Sequence, residues 1–320
     1  MTLTVLATDR LSFEGLAPLR DDERFEVRVL DDSSSPGFFE ALGEAEGLIV
    51  RSATKVDARL LDEAPRLRVI GRAGVGVDNI DMEAASERGI AVFNAPEGNT
   101  VAAAEMTMAV LLATMRKVAA ADRSIRAGRW DRSAFRGVEL RGKTLGLVGA
   151  GRIGREVARR CRAFGMEVIA FDPYLAEEAA EALGIQLVSF DRLIEEADVI
   201  SLHVPLTDET RGLIDAEVLR RMKKGSFLVN VSRGGVIDEE ALARTLGEGS
   251  IAGAALDVYA VEPLPSESPL REAPNLVLTP HLGASTHEAQ VEVAREVAIK
   301  VKSALLHGEL GEALNAESLG

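Results

Sequence analysis

Over the first hundred residues, short apolar runs alternate with segments of helical spacing. Residues 3–7, 25–30, 47–50, 67–70 and 90–93 are mostly apolar and β-prone, while 14–20, 36–44, 57–63 and 82–88 carry apolar positions at helical intervals. Strands this apolar suit a parallel sheet covered on both sides. The βαβαβ order therefore predicts a doubly wound α/β domain. A stretch rich in Ala, Met and Leu follows from Thr100 to Arg126, predicted as one long helix that ends at Gly128-Arg-Trp130. A helix apolar on most faces is buried, here at a domain junction or a subunit interface. A second βα series begins at Lys143. Its predicted strands are 144–148, 167–171, 199–202, 227–231, 252–257 and 276–278. Its predicted helices are 152–164, 177–183, 215–221 and 239–247, followed by a final amphipathic helix over 286–307.

Length and charge narrow the picture. A single hydrophobic core usually stops growing near about 250–300 residues, so a chain of 320 is expected to form two domains. The net charge of −14 leaves no basic excess for a nucleic-acid partner. The 37 Lys and Arg still allow local pockets for a small anionic substrate. Cys161 is the only cysteine, which excludes an internal disulfide and suggests a small core residue. Residues 1–9 read as a strand and lack the basic start and apolar stretch of a signal peptide. The most apolar segment, 101–115, is too short for a membrane span and carries Glu105. A cytoplasmic protein with no membrane partner and no metal site is expected.

The second series opens on a motif with chemistry. The strand at 144–148 runs directly into Gly149-Ala-Gly151-Arg152-Ile153-Gly154 and then a helix. That context makes the glycine triplet a dinucleotide fingerprint. Gly149 allows the tight turn, Gly151 lets the backbone approach a pyrophosphate, and Gly154 lets helix pack on strand. The helix N-terminus, with Arg152 and Ile153, offers free N–H groups to phosphate oxygens. The next strand ends at Asp172, placed to accept from a ribose diol and to repel a 2′-phosphate. Pro173 and Tyr174 follow, with no Arg to receive that phosphate, so NAD is expected over NADP. A second turn, Gly74-Val75-Gly76-Val-Asp-Asn79, has Asn79 where a third glycine would stand. Such a turn can hold an anion without binding a dinucleotide. Arg72 and Arg51, each at a strand end, favour a substrate anion there; surface ion pairing is the plain alternative.

Ligands of such sheets bind beyond the carboxyl ends of the strands. Arg233, Glu262 and His281 lie on three loops at that edge of the second series. Oxidising a secondary alcohol needs a base for the hydroxyl proton, and histidine titrates in the right range. A carboxylate on its other nitrogen would fix the tautomer, and an arginine suits bidentate binding of a substrate carboxylate. A satisfied structural histidine is the alternative for His281. His287 and His307 fall on the final helix and are expected to face solvent. His203 either lines the adenine side of the cofactor or simply packs.

The runs GRAGVGVDNID, GKTLGLVGAGRIGREVA, NVSRGGVIDEEAL, AALDVYAVEP and TPHLGAST, in this order, resemble the D-isomer-specific 2-hydroxyacid dehydrogenases over essentially the whole chain. The resemblance implies Arg233, Glu262 and His281 as the catalytic trio. It implies NAD contacts at Arg152, Ile153, Asp172, Asp257 and the amides near Val204 and Ser232. The expected cofactor set further includes Gly149, Gly151, Gly154, His203, Pro205, Val231, His281, Gly283 and Ala284. Substrate contacts are implied at Arg51, Arg72, Gly74, Val75 and Asn99, with Arg233 and His281, and with Arg132 reaching the substrate phosphate across a subunit boundary. The implied architecture is a discontinuous, flavodoxin-like substrate-binding domain, 1–97 plus 284–320, and an NAD-binding Rossmann domain, 98–283, with residues 101–115 in the region that forms a homodimer. Within the family the motifs look most like the branch that oxidises D-3-phosphoglycerate to 3-phosphohydroxypyruvate, the first step of serine biosynthesis. Many members of that branch carry regulatory domains past the position of Leu314-Asn315-Ala316, so a catalytic core without them is expected. A hydroxypyruvate or glyoxylate reductase would share fold, trio and cofactor but would not need Arg51, Arg72 and Arg132. Relatives of the fold also act as NAD-sensing transcriptional co-regulators that recruit partner peptides.

Overall fold

The computed structural model of the chain describes residues 2–319. Met1 and Gly320, the outer ends of the expected substrate-binding domain, lie outside the described residues. The chain forms two compact units, one from the residues up to Asn99 together with those from Ala284 onward, the other from Thr100 to Gly283.

The first unit runs β1 (Leu3–Ala7), α1 (Ala17–Arg20), β2 (Phe25–Val29), α2 (Phe38–Glu44), β3 (Gly47–Val50), α3 (Ala58–Asp62), β4 (Val69–Arg72), α4 (Met82–Glu87) and β5 (Ala91–Asn94). The strands pair in parallel in the order β2-β1-β3-β4-β5. Alternate strand residues feed two cores, because successive side chains point to opposite faces. Leu6, Leu48, Val50, Ile70 and Val92 pack with Phe38, Leu42 and Leu60 on one side. Val5, Ile49, Val69 and Phe93 pack on the other. Asp57 and Asp81 cap α3 and α4 by accepting from the Leu60 and Ala84 amides, which satisfies helix-start N–H groups that have no partner within the helix.

The second unit contains α5 (Thr100–Met115), α6 (Val118–Arg126), β6 (Thr144–Val148), α7 (Arg152–Ala163), β7 (Glu167–Phe171), α8 (Glu177–Ala182), β8 (Gln186–Leu187), α9 (Phe190–Glu196), β9 (Val199–Leu202), α10 (Ala216–Arg221), β10 (Phe227–Asn230), α11 (Glu239–Glu248), β11 (Gly253–Leu256) and β12 (Leu276–Leu278). Its seven strands are parallel in the order β12-β11-β10-β9-β6-β7-β8. Helix α12 (His287–His307) then returns to the first unit, where Val293, Val297 and Val301 close the core over Val5, Ile49 and Phe93. Thr286 caps it, its hydroxyl accepting from the Ala289 amide at 3.1 Å. Both units are therefore doubly wound parallel sheets, as the sequence pattern predicts.

Three local expectations are corrected. The single helix predicted from Thr100 to Arg126 is two helices, broken at Lys117, whose φ is +54°. The Met115 carbonyl leaves the helical ladder there and accepts from the Val138 amide at 3.0 Å. Helix α1 starts at Ala17, beside Pro18, rather than at Glu14; an added Cβ at Gly15 would lie 2.5 Å from the Val291 carbonyl, so this stretch runs tight against α12. Strand β8 and helix α9 were not expected; β8 is only two residues long. Cys161 is a core residue, with its sulfur 3.5 Å from that of Met108 and its thiol pushed up to about 12 by burial. No helix among the described residues is long and apolar enough to cross a membrane.

Candidate active site

The strand order of the second sheet reverses between β6 and β9, so the loops that follow them leave a crevice. The glycine motif lies there. Gly149 has φ +88°, and a Cβ on it would lie 2.5 Å from the His203 carbonyl. A Cβ on Gly154 would lie 2.5 Å from the Gly149 carbonyl. A Cβ on Gly151 would meet nothing within 4 Å. Two glycines thus close the turn against its own backbone, and the third borders open space, as a bound pyrophosphate needs. Gly151 is the N-cap of α7 and makes no side-chain cap, so Arg152 and Ile153 head a helix whose first N–H groups suit an anion. Asp172, just past the end of β7, reaches back to this turn: one carboxylate oxygen accepts from the Ala150 amide at 2.8 Å and the other from the Tyr174 amide at 2.9 Å. These residues fit a dinucleotide.

His203, Val204 and Pro205 form the loop after β9. The His203 ring is 2.9 Å from the Ser201 hydroxyl, and desolvation pushes it down to about 4. It is therefore neutral at physiological pH.

The loop after β10 carries Val231, Ser232 and Arg233. Asn230, almost fully buried, organises it. The Asn230 side-chain oxygen accepts from the Ser232 amide at 3.0 Å and from its hydroxyl at 2.8 Å, while its nitrogen donates to the Arg233 carbonyl at 2.8 Å. Gly234 lies against the next loop so closely that an added Cβ would collide with the Tyr259 carbonyl. Only glycine fits there, and the arginine loop is locked to the loop that bears Glu262.

Glu262 and His281 meet at 2.7 Å, carboxylate oxygen to Nδ1. Their side chains stay 36% and 45% exposed, so a ligand can reach them. The other Glu262 oxygen accepts from the Tyr259 amide at 3.0 Å. Burial, the largest influence on Glu262, acts to raise its pKa; the bonds from His281 and Tyr259 and the nearby Arg233 charge together hold it below the ordinary carboxylate value. His281 has φ +55°, a conformation L-residues rarely adopt. Asp257 holds it there. The Asp257 carbonyl accepts from the His281 amide at 2.8 Å. Its fully buried carboxylate accepts from the Thr279 hydroxyl at 2.6 Å and from the Leu282 and Gly283 amides, each at 2.8 Å. The Tyr259 hydroxyl donates to the Thr279 carbonyl at 2.8 Å; burial, with the Asp257 charge behind it, pushes that phenol up to about 12. Arg233, Glu262 and His281 thus stand on three interlocked loops at the carboxyl edge of one sheet. A cavity of about 640 Å³ in this unit lies elsewhere, between β7, β8 and the end of α7, and contains none of them.

Arg132 begins an exposed 3-10 turn in the second unit. The remaining sequence candidates belong to the first unit. Arg51 follows β3 and Arg72 ends β4. Gly74 has φ +149°, and an added Cβ would collide with the Arg72 guanidinium. The Val75 carbonyl accepts from the Asn94 side chain at 2.6 Å. The buried Asn99 side-chain oxygen has no hydrogen-bond partner among the described residues. Ala284 opens the returning segment. His287 and His307 are exposed, as expected for the final helix. Asn230, Tyr259, Asp9 and Asn79 organise these loops, a role that the sequence pattern does not assign to any of them. The nearest signal was a polar residue closing an otherwise apolar strand, as Asn230 does.

Residues 108–283 match the family described as "D-isomer specific 2-hydroxyacid dehydrogenase, NAD binding domain". The chain belongs to this family, and its second unit contains the family's NAD-binding domain. A D-3-phosphoglycerate dehydrogenase of Archaeoglobus fulgidus is 45% identical over 296 residues, 92% of this chain and 56% of that protein. The chain spans 56–59% of the length of the curated relatives it matches. Among solved structures, a D-lactate dehydrogenase from Aquifex aeolicus, complexed with NAD and lactic acid, superposes with a TM-score of 0.82 at 32% identity, covering 96% of this chain and 97% of that one. A glyoxylate reductase from Paecilomyes thermophila does so with a TM-score of 0.86 at 33% identity, covering 99% of each.

Proposed function

We propose that the chain catalyses NAD-dependent oxidation of D-3-phosphoglycerate to 3-phosphohydroxypyruvate, the first step of serine biosynthesis. The observation that carries this reading is the Glu262–His281 pair at 2.7 Å, on the same sheet edge as Arg233 and the open glycine turn. Glu262 occupies Nδ1, which leaves Nε2 to take the proton of the substrate hydroxyl. The carboxylate then faces the imidazolium that forms and lowers its energy. Arg233 pairs with the substrate carboxylate in the two-pronged geometry that guanidinium allows. Bound NAD supplies the hydride acceptor. Gly149, Gly151, Arg152, Ile153 and Gly154 would hold its pyrophosphate and Asp172 its ribose diol. His203, Val204, Pro205, Val231, Ser232, Asp257, Gly283 and Ala284 complete its surroundings.

The first unit takes the substrate, through Arg51, Arg72, Gly74, Val75 and Asn99. In an acidic protein, local cations must reverse the field for an anion to bind. The Arg51 guanidinium makes no hydrogen bond or ion pair among the described residues, nor does that of Arg132, which leaves both available for a phosphate. The names of the curated relatives favour the phosphorylated substrate. The protein acts as a cytoplasmic homodimer in this reading. Val118, Ile125, Trp130 and Val138, in α6 and the segment after it, are exposed apolar side chains that a second copy would cover; light scattering on the purified chain measures the assembly.

The deciding experiment is NADH formation from D-3-phosphoglycerate, D-glycerate, D-lactate and glycolate, with glyoxylate and hydroxypyruvate tested in reverse. The highest kcat/KM should fall on the phosphorylated acid. A preference for glyoxylate or hydroxypyruvate would make the chain a reductase of the same family. No turnover with intact NADH binding would favour an NAD-sensing co-regulator.

A further inference from the structure

The first sheet has its own point of strand-order reversal, between β1 and β3. In sheets of this order such a crevice is where ligands bind. Here the loops flanking it are Asp9, after β1, and the turn 51–54, after β3. Asp9 has φ +63° and is buried. One of its carboxylate oxygens accepts from the Arg51 amide at 2.9 Å and the Thr54 amide at 3.0 Å, and the other from the Thr54 hydroxyl at 2.6 Å. Asn79 holds the same turn by its carbonyls. Its side-chain nitrogen donates to the Arg51 carbonyl at 2.8 Å and to the Thr54 carbonyl at 2.7 Å. Asn79 also accepts, through its backbone carbonyl, from the Val56 amide at 2.8 Å.

The first and last residues of the turn therefore have both backbone groups held by two side chains that no strand ladder provides. Thr54 is fully buried at the centre of this network. Ser52 and Ala53 are exposed at the tip, and their amides donate no hydrogen bond among the described residues. The Arg51 guanidinium likewise makes no hydrogen bond or ion pair among the described residues. The Asp9 carboxylate is occupied by neutral donors, so it fixes the turn without drawing the guanidinium into an ion pair.

We infer that Asp9 and Asn79 are positioning residues. They hold the turn 51–54, through Thr54, as a preformed cradle in which Arg51 meets the substrate's phosphate. The inference rests on Arg51 being a substrate contact, as proposed above. It predicts that loosening the turn weakens recognition of the phosphate while leaving the chemistry at His281 alone.

The test uses the full chain, with 3-phosphoglycerate and D-glycerate as alternative substrates. Arg51→Ala checks the underlying assignment and should raise KM for 3-phosphoglycerate at least tenfold, by roughly the loss of one charge-assisted contact. If it does not, Arg51 is no substrate contact, and the cradle falls with it. Granted that effect, Thr54→Val removes the hydroxyl at nearly constant shape, and Asn79→Ala removes both donors. Each should raise KM for 3-phosphoglycerate by roughly five- to twentyfold, since small misplacements of binding groups are costly. kcat and NADH affinity should stay within about twofold, the pattern of a lost binding contact. Thr54→Ser keeps the hydroxyl and should restore KM. KM for D-glycerate should move by less than about twofold throughout. Equal losses on both substrates, a fall in kcat without a change in KM, or a Thr54→Ser variant as impaired as Thr54→Val would each overturn the inference. Should Asn79→Ala fail to fold, the Thr54 pair decides alone.

Discussion

The two sheets treat the same topological position in opposite ways. Between β6 and β9 the crevice is lined by backbone: Gly149 and Gly154 close on each other, and beyond Gly151 there is open space. Between β1 and β3 the crevice is lined by side chains: Asp9 fills it with a carboxylate that binds its neighbours, and at the nearby turn after β4 the Arg72 guanidinium sits where a Cβ of Gly74 would go. The difference is physical. A long ligand with its own charges and hydrogen bonds needs room and N–H groups, which glycines supply. A small anion, the ligand proposed for the first crevice, needs fixed positive groups, which require side chains held in place by others. A Gly-rich turn after a parallel strand is thus no cofactor site until its third position is known; Asn79 there makes a clamp.

Four experiments would break or sharpen this contrast. The largest effect belongs to the side-chain edge of the second sheet. His281→Ala should lower kcat by roughly 10²–10⁴, the usual loss for a missing general base, with NADH affinity nearly unchanged by fluorescence titration. A kcat close to that of the parent would remove His281 from the chemistry. Next comes the backbone crevice. Gly151→Val should weaken NADH binding by roughly 10–100-fold with little change in Tm, because its Cβ meets no protein atom. A variant that binds NADH normally would show that the open space is not where the pyrophosphate lies. Third, Asp172→Ala should reduce the preference for NAD over NADP by about tenfold in kcat/KM; equal specificity already in the parent would refute the role of that carboxylate.

The smallest effect concerns pH. Glu262 is held below the ordinary carboxylate value in the folded protein. A carboxylate so depressed adds stability above its unfolded value, and that stability disappears as pH falls through its folded value. The Tm advantage of the parent over Glu262→Gln should therefore be full near neutrality and shrink as pH falls below the carboxylate range. An advantage that grows on acidification would contradict the assigned sign.

Much of this was legible in the sequence because it is local. The alternation of apolar runs and helices specified two parallel sheets, and the spacing of Gly149, Gly151, Gly154 and Asp172 marked the turn that the structure places at the crevice of the second sheet. Arg233, Glu262 and His281 were legible as loop residues at one edge. Their supports were not. Asn230 acts within three residues, yet nothing in its neighbourhood distinguishes it from a strand end. Asp9 acts on residues more than forty positions away, and Asn79 on residues about twenty-five away. Such bonds are set by the sheet order, which periodicity does not encode. The helix break at Lys117 was hidden for a similar reason: the Val138 amide that captures the Met115 carbonyl comes from a distant loop.

The return of α12 to the first sheet carries a consequence for synthesis. Strand β5 ends at Asn94 and α12 begins at His287, about 190 residues later. The second unit is continuous and can close on itself while the chain is still growing. The first cannot, because one of its two cores is completed by Val293, Val297 and Val301. At ribosomal speeds of about 5–20 residues per second, the sheet face of Val5, Ile49, Val69 and Phe93 waits roughly 10–40 s for its cover. During that interval the nascent protein displays an uncovered apolar sheet tethered to a finished domain, the kind of surface that chaperones bind, and slow codons within the last forty positions would lengthen the exposure.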